Sequence, residues 1–356
     1  MHFSQLQLTN FRNFSSLKLQ LAPKINFFYG ANASGKTSIL EALFLLGRGR
    51  SFRANRLNTL IAHEEASLAV VTKFLLANGL NYSFGLVKER SSKNLQAKLN
   101  GNKAASLVEI STLLALQLIN PDVFLLLDGS PVERRKFIDW GVFYFEQDFV
   151  AFWQRYAKAL KHRNLLLKSR KFSELEMQAW ETELALTGEL LTQKRQDYCQ
   201  LLEPVFKEYL AEFLPNLDIT FQFYAGWNQA DTLADFFAAN RSKDLQQGFT
   251  LGGPQRADLK IYYGQYLAKD SLSRGQQKLV VSALKLSQAE VLQQHLGKNC
   301  IFLIDDLAAE LDAHHQEKFC SLLANINSQV LVTSLDKSLA KHFPSDNLEM
   351  FHVEPH

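Results

Sequence analysis

Three cysteines in 356 residues are too few for a disulfide framework, and Cys199, Cys300 and Cys320 form no C-x-x-C pair that would hold zinc. Scattered in this way, they read as small buried residues of a reducing compartment. Proline is also sparse, with eight in all and none between Pro131 and Pro204, so a long helical stretch can run there unbroken. Neither sign of charge dominates. The net charge of +3 permits an anionic partner without demanding one. No apolar run approaches the roughly 20 residues of a membrane-spanning helix. The opening Met1-His2-Phe3-Ser4-Gln5-Leu6 lacks the basic and apolar regions of a signal peptide. These absences argue against disulfide-stapled, zinc-bound and membrane-spanning classes. They leave a globular protein expected in the cytoplasm and long enough for two domains.

What the chain does have is Gly30-Ala31-Asn32-Ala33-Ser34-Gly35-Lys36-Thr37, followed by Ser38. It fits G-x-x-x-x-G-K-[ST], the phosphate-binding P-loop. Ile25 to Tyr29 reads as a buried strand before it, and Thr37 to Leu46 as a helix after it. Glycine lets backbone approach a phosphate, and a helix N-terminus offers partial positive charge. Lys36 would hold the β- and γ-phosphates of ATP, and the Thr37 hydroxyl would ligate Mg²⁺. Far along the chain, four apolar residues end in Asp305 and Asp306, a Walker-B strand whose Asp305 would share that Mg²⁺. A chance glycine loop, or a strand that merely ends in solvated acids, would not supply both halves in strand and helix context. Leu272-Ser273-Arg274-Gly275-Gln276 looks like the ABC-type signature L-S-G-G-Q, with Arg at its third place. It is a second anion cradle at a helix N-terminus.

Between these motifs the periodicity changes. Leu6 and Leu8 share one strand face, and Leu17, Leu19 and Leu21 share another. A run of strands from Leu68 to Leu99 turns at Ala77-Asn78-Gly79 and Asn100-Gly101. Ser130, Pro131 and Glu133 then read as N-cap, N1 and capping-box partner of a helix. The pattern stays helical to about Glu212, with Phe149, Phe152, Trp153 and Tyr156 on one stripe. Leu259, Ile261 and Tyr263 mark a return to strand, a helix runs to about Leu296, Asp312 caps another, and Gln329 to Thr333 is a last buried strand.

Taken together, the chain resembles the RecF family of bacterial recombination mediators, which are related to SMC-type ATPase heads. The resemblance covers nearly the whole length. Beyond the P-loop and signature, it rests on Asn10-Phe11-Arg12-Asn13-Phe14, Gly47-Arg48-Gly49-Arg50-Ser51-Phe52-Arg53 and Ser130-Pro131-Val132-Glu133-Arg134-Arg135-Lys136-Phe137-Ile138-Asp139. To these add Gly253-Pro254-Gln255-Arg256-Ala257-Asp258-Leu259 and Ile304-Asp305-Asp306-Leu307-Ala308-Ala309-Glu310-Leu311-Asp312. It implies an α/β fold: an ABC/SMC-type P-loop ATPase head, with a mixed sheet and an antiparallel β-subdomain, and an inserted helical arm. The head is expected over 1–120 and 251–356, and the arm over 121–250.

The resemblance also assigns roles. Asp306 stands where many such ATPases carry the catalytic Glu, and the shorter carboxylate suits a slow switch. The signature, Ser273 to Gln276, would close over ATP held by a second copy, so that ATP completes a homodimer, with Asp312 of the D-loop near the seam. Gln117 is the candidate Q-loop residue, against an ordinary polar residue in a strand. Arg12 and Asn13 match residues that approach the nucleotide, unless they pair only locally. The residue after the last buried strand, often His in transporters, is Thr333 or Ser334. DNA contacts are sought in two basic clusters, Arg48, Arg50, Arg53 and Arg56, and Lys158, Lys161, His162 and Arg163, set against plain solvated faces. The implied partners are duplex DNA beside single-strand gaps, and RecR and RecO, in loading RecA. Two rivals from other classes are the ATP-binding subunit of a membrane transporter and a small-molecule kinase. The long helical stretch, the departure from His at Thr333 or Ser334 and the RecF-like stretches argue against the first. The second leaves the signature unused.

Overall fold

Alternating apolar residues at the start form a hairpin, β1 (His2–Phe11) and β2 (Phe14–Gln20), with Leu6 and Leu8 fully buried. This computed structural model describes residues 1–76, 78–103, 106–307 and 311–354. The apolar run before the glycine loop is β3 (Ile25–Tyr29), and α1 (Lys36–Arg48) follows the loop. Next come β4 (Ser67–Leu75), β5 (Asn81–Glu89), β6 (Leu95–Leu99) and β7 (Asn102–Lys103). Asn100 and Gly101 both have positive φ, 50° and 82°, and join paired residues Leu99 and Asn102 as a two-residue turn. Ala77, in the other expected turn, lies outside the described residues. After α2 (Leu107–Leu113) and β8 (Leu116–Ile119) come three helices, α3 (Pro131–Phe145), α4 (Phe149–Ser169) and α5 (Glu174–Phe213). Then β9 (Ile219–Tyr224), α6 (Leu233–Gln247), β10 (Asp258–Tyr263), β11 (Tyr266–Leu267), α7 (Ala268–Ser271) and α8 (Arg274–Leu296). The chain closes with β12 (Ile301–Ile304), α9 (Ala313–Asn325), β13 (Gln329–Ser334) and β14 (Leu348–His352).

The described chain divides into two compact units, residues 1–123 with 292–356, and residues 124–291. In the first unit, β3, β8, β12, β13 and β14 form a wholly parallel sheet ordered β14-β3-β13-β12-β8. A second, antiparallel sheet is ordered β2-β1-β4-β5-β6-β7. Helix α1 touches β1 and β5 of this sheet and β8, β12 and β13 of the parallel one. Contact with both explains why Ile39 to Gly47 are all buried and, apart from Glu41, lack polar side chains, as suits a helix between two layers. The parallel strands read as near-continuous apolar runs for the same reason. β14 is an addition to the sequence reading. Its residues, Leu-Glu-Met-Phe-His, are only partly buried at the sheet edge, so their pattern is weak.

The second unit holds α3 to α7 and most of α8. Helix α5 runs for 40 residues with Pro204 inside it. This region is not purely helical: β9, β10 and β11 form an antiparallel sheet, ordered β11-β10-β9. Residues 251–291, signature included, group by compactness with this unit. Ser130 sits at the N-cap of α3 with Pro131 at N1, but its hydroxyl makes no capping bond, and Glu133 pairs with Lys136 at 2.7 Å instead. The expected capping box is therefore absent there. On α4, Phe149, Phe152 and Tyr156 are buried, while Trp153 lies at the stripe's margin, 44% exposed. No helix among the described residues is long and apolar enough to cross a membrane.

Candidate nucleotide site

The C-terminal edge of the parallel sheet and the start of α1 meet at one cavity of about 790 Å³, wholly within the first unit. Asn13, Asn32, Lys36, Thr37, Ser38, Asp305, Asp306 and Thr333 are among its lining residues. Ligands favour this place in parallel sheets, where strand ends and helix N-termini converge. Gly35 is the residue that allows the loop to close. Its φ is 105°, and a Cβ there would lie 2.5 Å from the Phe14 ring and 2.7 Å from Asn13 Nδ2. Asn13 Nδ2 donates to the Ser34 carbonyl at 3.2 Å and so braces the loop from the β1–β2 turn.

Lys36 is folded back into the loop. Its Nζ donates to the carbonyls of Gly30 at 2.9 Å and Ala31 at 2.6 Å. Burial lowers its pKa, opposed by the carboxylates of Asp305 and Asp306. Thr37 Oγ1 donates to Asp305 Oδ1 at 2.8 Å, which brings the two ends of the sequence together. The register of the parallel strands makes this possible: β12 pairs with β13, and β13 pairs with β3, which leads into the loop. A second hydroxyl, Thr333 Oγ1, donates to the same Asp305 oxygen at 2.7 Å and accepts the Asp306 N–H at 2.9 Å. Asp306 has φ of 54°, in the left-handed region.

Arg12 lines the cavity, but its Nε and Nη2 donate to the two carboxylate oxygens of Glu41, a fully buried residue of α1, both at 2.8 Å. Its Nη1 donates to the Thr59 carbonyl at 3.2 Å. The local pairing weighed for it is therefore present. Gln117 lies on β8, buried opposite Phe302, and is not among the cavity residues; Pro121, just past that strand, is. Ser334 lines the cavity as well. Two cations missed as nucleotide neighbours join it: Arg53, taken from sequence for DNA, and Arg90 at the end of the β5 hairpin. Nothing local in the sequence marks Arg90. It arrives because Phe11 bridges Ile61 and Arg90 itself donates to the carbonyls of Glu65 and Ala62.

In the second unit, Ser273 and Gln276 form a reciprocal capping box at the start of α8. Ser273 N–H donates to Gln276 Oε1 at 2.9 Å, and Gln276 N–H to Ser273 Oγ at 3.3 Å. Arg274, the departure from L-S-G-G-Q, lies 4.8 Å over the Phe124 ring and pairs with Asp128 at 3.3 Å. Gly275 follows it in the first turn of α8. Asp312 caps α9, accepting the His315 N–H at 2.9 Å, and that bond comes first among the causes holding its pKa down. Of the rest of the expected D-loop, Leu311 is buried, and Ala309 and Glu310 lie outside the described residues.

The basic clusters separate. Arg163 cannot contact DNA from its present place: it is fully buried, paired with Glu181 at 3.0 Å and Asp244 at 2.7 Å, and bonded to Thr250. Its position on the buried stripe of α4, with Tyr156, Ala159 and Leu167, turns it inward. His162 stacks on Trp180, ring centroids 4.3 Å apart. Arg48 donates to the Leu116 carbonyl at 3.1 Å, tying α1 to β8. Arg50, Arg56, Lys158 and Lys161 are exposed.

The family model described as RecF/RecN/SMC N terminal domain matches residues 2–356. A protein named DNA replication and repair protein RecF from Pseudomonas paraeruginosa (strain DSM 24068 / PA7) is 42% identical over 356 residues, 99% of this chain and 96% of its own. The RecF of Chromohalobacter salexigens is likewise 42% identical, covering 99% and 98%. A solved structure described as the recombination mediator protein RecF-ATPrS in the RecFOR pathway superposes with a TM-score of 0.85 at 26% identity, covering 99% of this chain and 96% of that one. An SMC head bound to the C-winged helix domain of ScpA gives 0.62 at 16% identity over 96% and 92%, a likeness of fold. By full-length family match and by close relatives named for DNA replication and repair, this chain belongs to the RecF family of SMC-type, ATP-binding proteins.

Proposed function

We propose that the chain is an ATP-driven switch that binds DNA in recombinational repair. The observation that carries this reading is the 2.8 Å approach of Thr37 Oγ1 to Asp305 Oδ1, on a cavity that also holds Lys36 and Asp306. A hydroxyl and a carboxylate are hard oxygen donors of the kind Mg²⁺ takes beside triphosphate oxygens, so Thr37 and Asp305 would hold it. When bound, the ion neutralises charge that develops on the β- and γ-oxygens. Lys36 exchanges its two loop carbonyls for phosphate oxygens, and Asp306 accepts the proton of the attacking water. Arg53 and Arg90 add positive charge at the rim, and Asn13 keeps the loop braced.

Binding ATP pairs two copies. Ser273 to Gln276 of one copy meet the γ-phosphate held by the other, with Asp312 near the seam, and hydrolysis lets them part. The reciprocal capping bonds at Ser273 support this role, since they hold that helix start in one conformation. Lys158 and Lys161 contact duplex phosphates, joined by Lys168 of the same helix, and Arg50 and Arg56 form a second contact. The stretch from Phe149 to Ser173 carries no acidic residue, which favours a polyanion along it. We assign residues 1–120 and 251–356 to the ATPase head, place the protein in the cytoplasm, and expect RecR and RecO as partners at duplex next to single-strand gaps. Light scattering after gel filtration tests this reading, with ATP, ADP or no nucleotide, with and without gapped duplex. The wild type forms a dimer only with ATP, and Lys36→Met and Ser273→Arg stay monomeric. A wild-type monomer under every condition would rule out the paired mechanism.

A further inference from the structure

We infer that Thr333 is a positioning residue for hydrolysis, and that its hydroxyl sets the aim of Asp306. The inference rests on reading Asp306 as the residue that activates water. The chain must change direction at the end of β12, and it does so with Asp306 at φ of 54°. Residues with a Cβ seldom adopt this region, and Asp enters it more readily than most. Something must nevertheless hold the turn in the one orientation that points a carboxylate into the cavity. Thr333 is placed to do so. It stands on the adjacent parallel strand β13, is 2% exposed and lines the cavity.

A hydroxyl has one proton to give and two lone pairs to accept with. Thr333 uses them in a fixed sense. The proton goes to Asp305 Oδ1 at 2.7 Å, and the oxygen accepts the Asp306 N–H at 2.9 Å. The Thr333 carbonyl then accepts the Leu307 N–H at 3.2 Å. Both amides that follow Asp305 therefore hang on one residue of the neighbouring strand, and so does the Asp305 carboxylate. The β-branched side chain is stiff about χ1, which makes the hydroxyl a rigid post. Asp305 Oδ1 also takes the Thr37 hydroxyl. If Thr37 turned its hydroxyl toward a bound Mg²⁺, the Thr333 bond would still orient that carboxylate. Ser334 is not an equivalent: its Oγ donates to the Asp336 carbonyl at 3.1 Å and is occupied in the next turn.

Valine has the shape of threonine without the hydroxyl, and serine has the hydroxyl without the methyl, so the two substitutions separate packing from hydrogen bonding. Thr333→Val, Thr333→Ser, Asp306→Asn and the Thr333→Val/Asp306→Asn double variant would be compared as full-length protein. Single-turnover ATP hydrolysis gives the rate, a fluorescent ATP analogue in EDTA gives the affinity, and thermal melting reports folding. The expected result is a rate at least about tenfold lower in Thr333→Val, with affinity unchanged within about threefold and Thr333→Ser within about threefold of wild type. The valine change should slow Asp306→Asn by less than it slows the wild type, because the part of its effect that passes through the Asp306 carboxylate is already lost and only the part through Asp305 remains. A wild-type rate in Thr333→Val, or equal losses in the valine and serine variants, overturns the role of Thr333. A wild-type rate in Asp306→Asn overturns the underlying reading of Asp306 instead. Should Thr333→Val fail to fold, Thr333→Ala replaces it under the same criteria.

Discussion

At the scale of single residues, the P-loop depends on two positions where no side chain can stand, Gly30, whose Cβ would lie 2.3 Å from the Val353 carbonyl oxygen, and Gly35. Gly35 combines a φ of 105° with contact from the Phe14 ring and Asn13. Gly35→Ala would have to displace the aromatic that closes β1 and β2 and the amide that braces Ser34. We expect it to abolish binding of a fluorescent ATP analogue and to lower stability by about 1–3 kcal/mol, read from the urea midpoint. The motif was legible in sequence because its glycines and lysine are obligatory by chemistry. The bracing was not, since Phe14 and Asn13 reach the loop only through the fold. The three cysteines illustrate the plain alternative to function: all are buried, and burial pushes the thiols of Cys199 and Cys320 up to about 12.

Among the elements, α4 shows how a basic run can divide. Its exposed face keeps Lys158 and Lys161 in water, while Arg163 ties α4 to Glu181 of α5 and Asp244 of α6. Removing one partner from a buried ion network leaves the others uncompensated and costs about 3–5 kcal/mol. Arg163→Ala is therefore expected to lower the melting temperature sharply, while DNA binding by the protein still folded keeps its dependence on salt. Periodicity placed Tyr156 and Arg163 one above the other on the helix, seven residues apart. A reading by charge alone still counted Arg163 with its exposed neighbours, because the two acids that claim it come from distant helices. Capping chemistry behaved similarly. The Ser-x-x-Glu at Ser130 is not closed, because Glu133 has Lys136 within reach, whereas Ser273 and Gln276 do close theirs.

On the scale of the molecule, the net charge of +3 is too small to account for an attraction to DNA, so any contact must come from local placement. If Lys158, Lys161 and Lys168 each neutralise a phosphate, replacing one by alanine should reduce the slope of log binding constant against log salt by about 0.9. Fluorescence anisotropy on labelled gapped duplex between low and physiological salt measures this. An unchanged slope in all three variants would move the contact to Arg50 and Arg56.

The local sequence by itself determined the strands and helices that carry the nucleotide motifs. A glycine-bearing loop, a four-residue apolar strand ending in acids and a capped helix each specify their own backbone within a few residues. It also determined most strand and helix positions, because apolar period and turn residues are local signals. Only the tertiary structure decided what those pieces do together. Parallel pairing of β3, β13 and β12 sets Thr37 and Thr333 on one oxygen of Asp305. The folded-back β-sheet delivers Arg90 to the cavity, and helix packing withdraws Arg163 from solvent. The physical reason is the same in each case. Propensity and hydrophobic period act over neighbours in sequence, whereas hydrogen bonds and ion pairs between distant residues exist only once strand order and helix packing have brought them within about 3 Å.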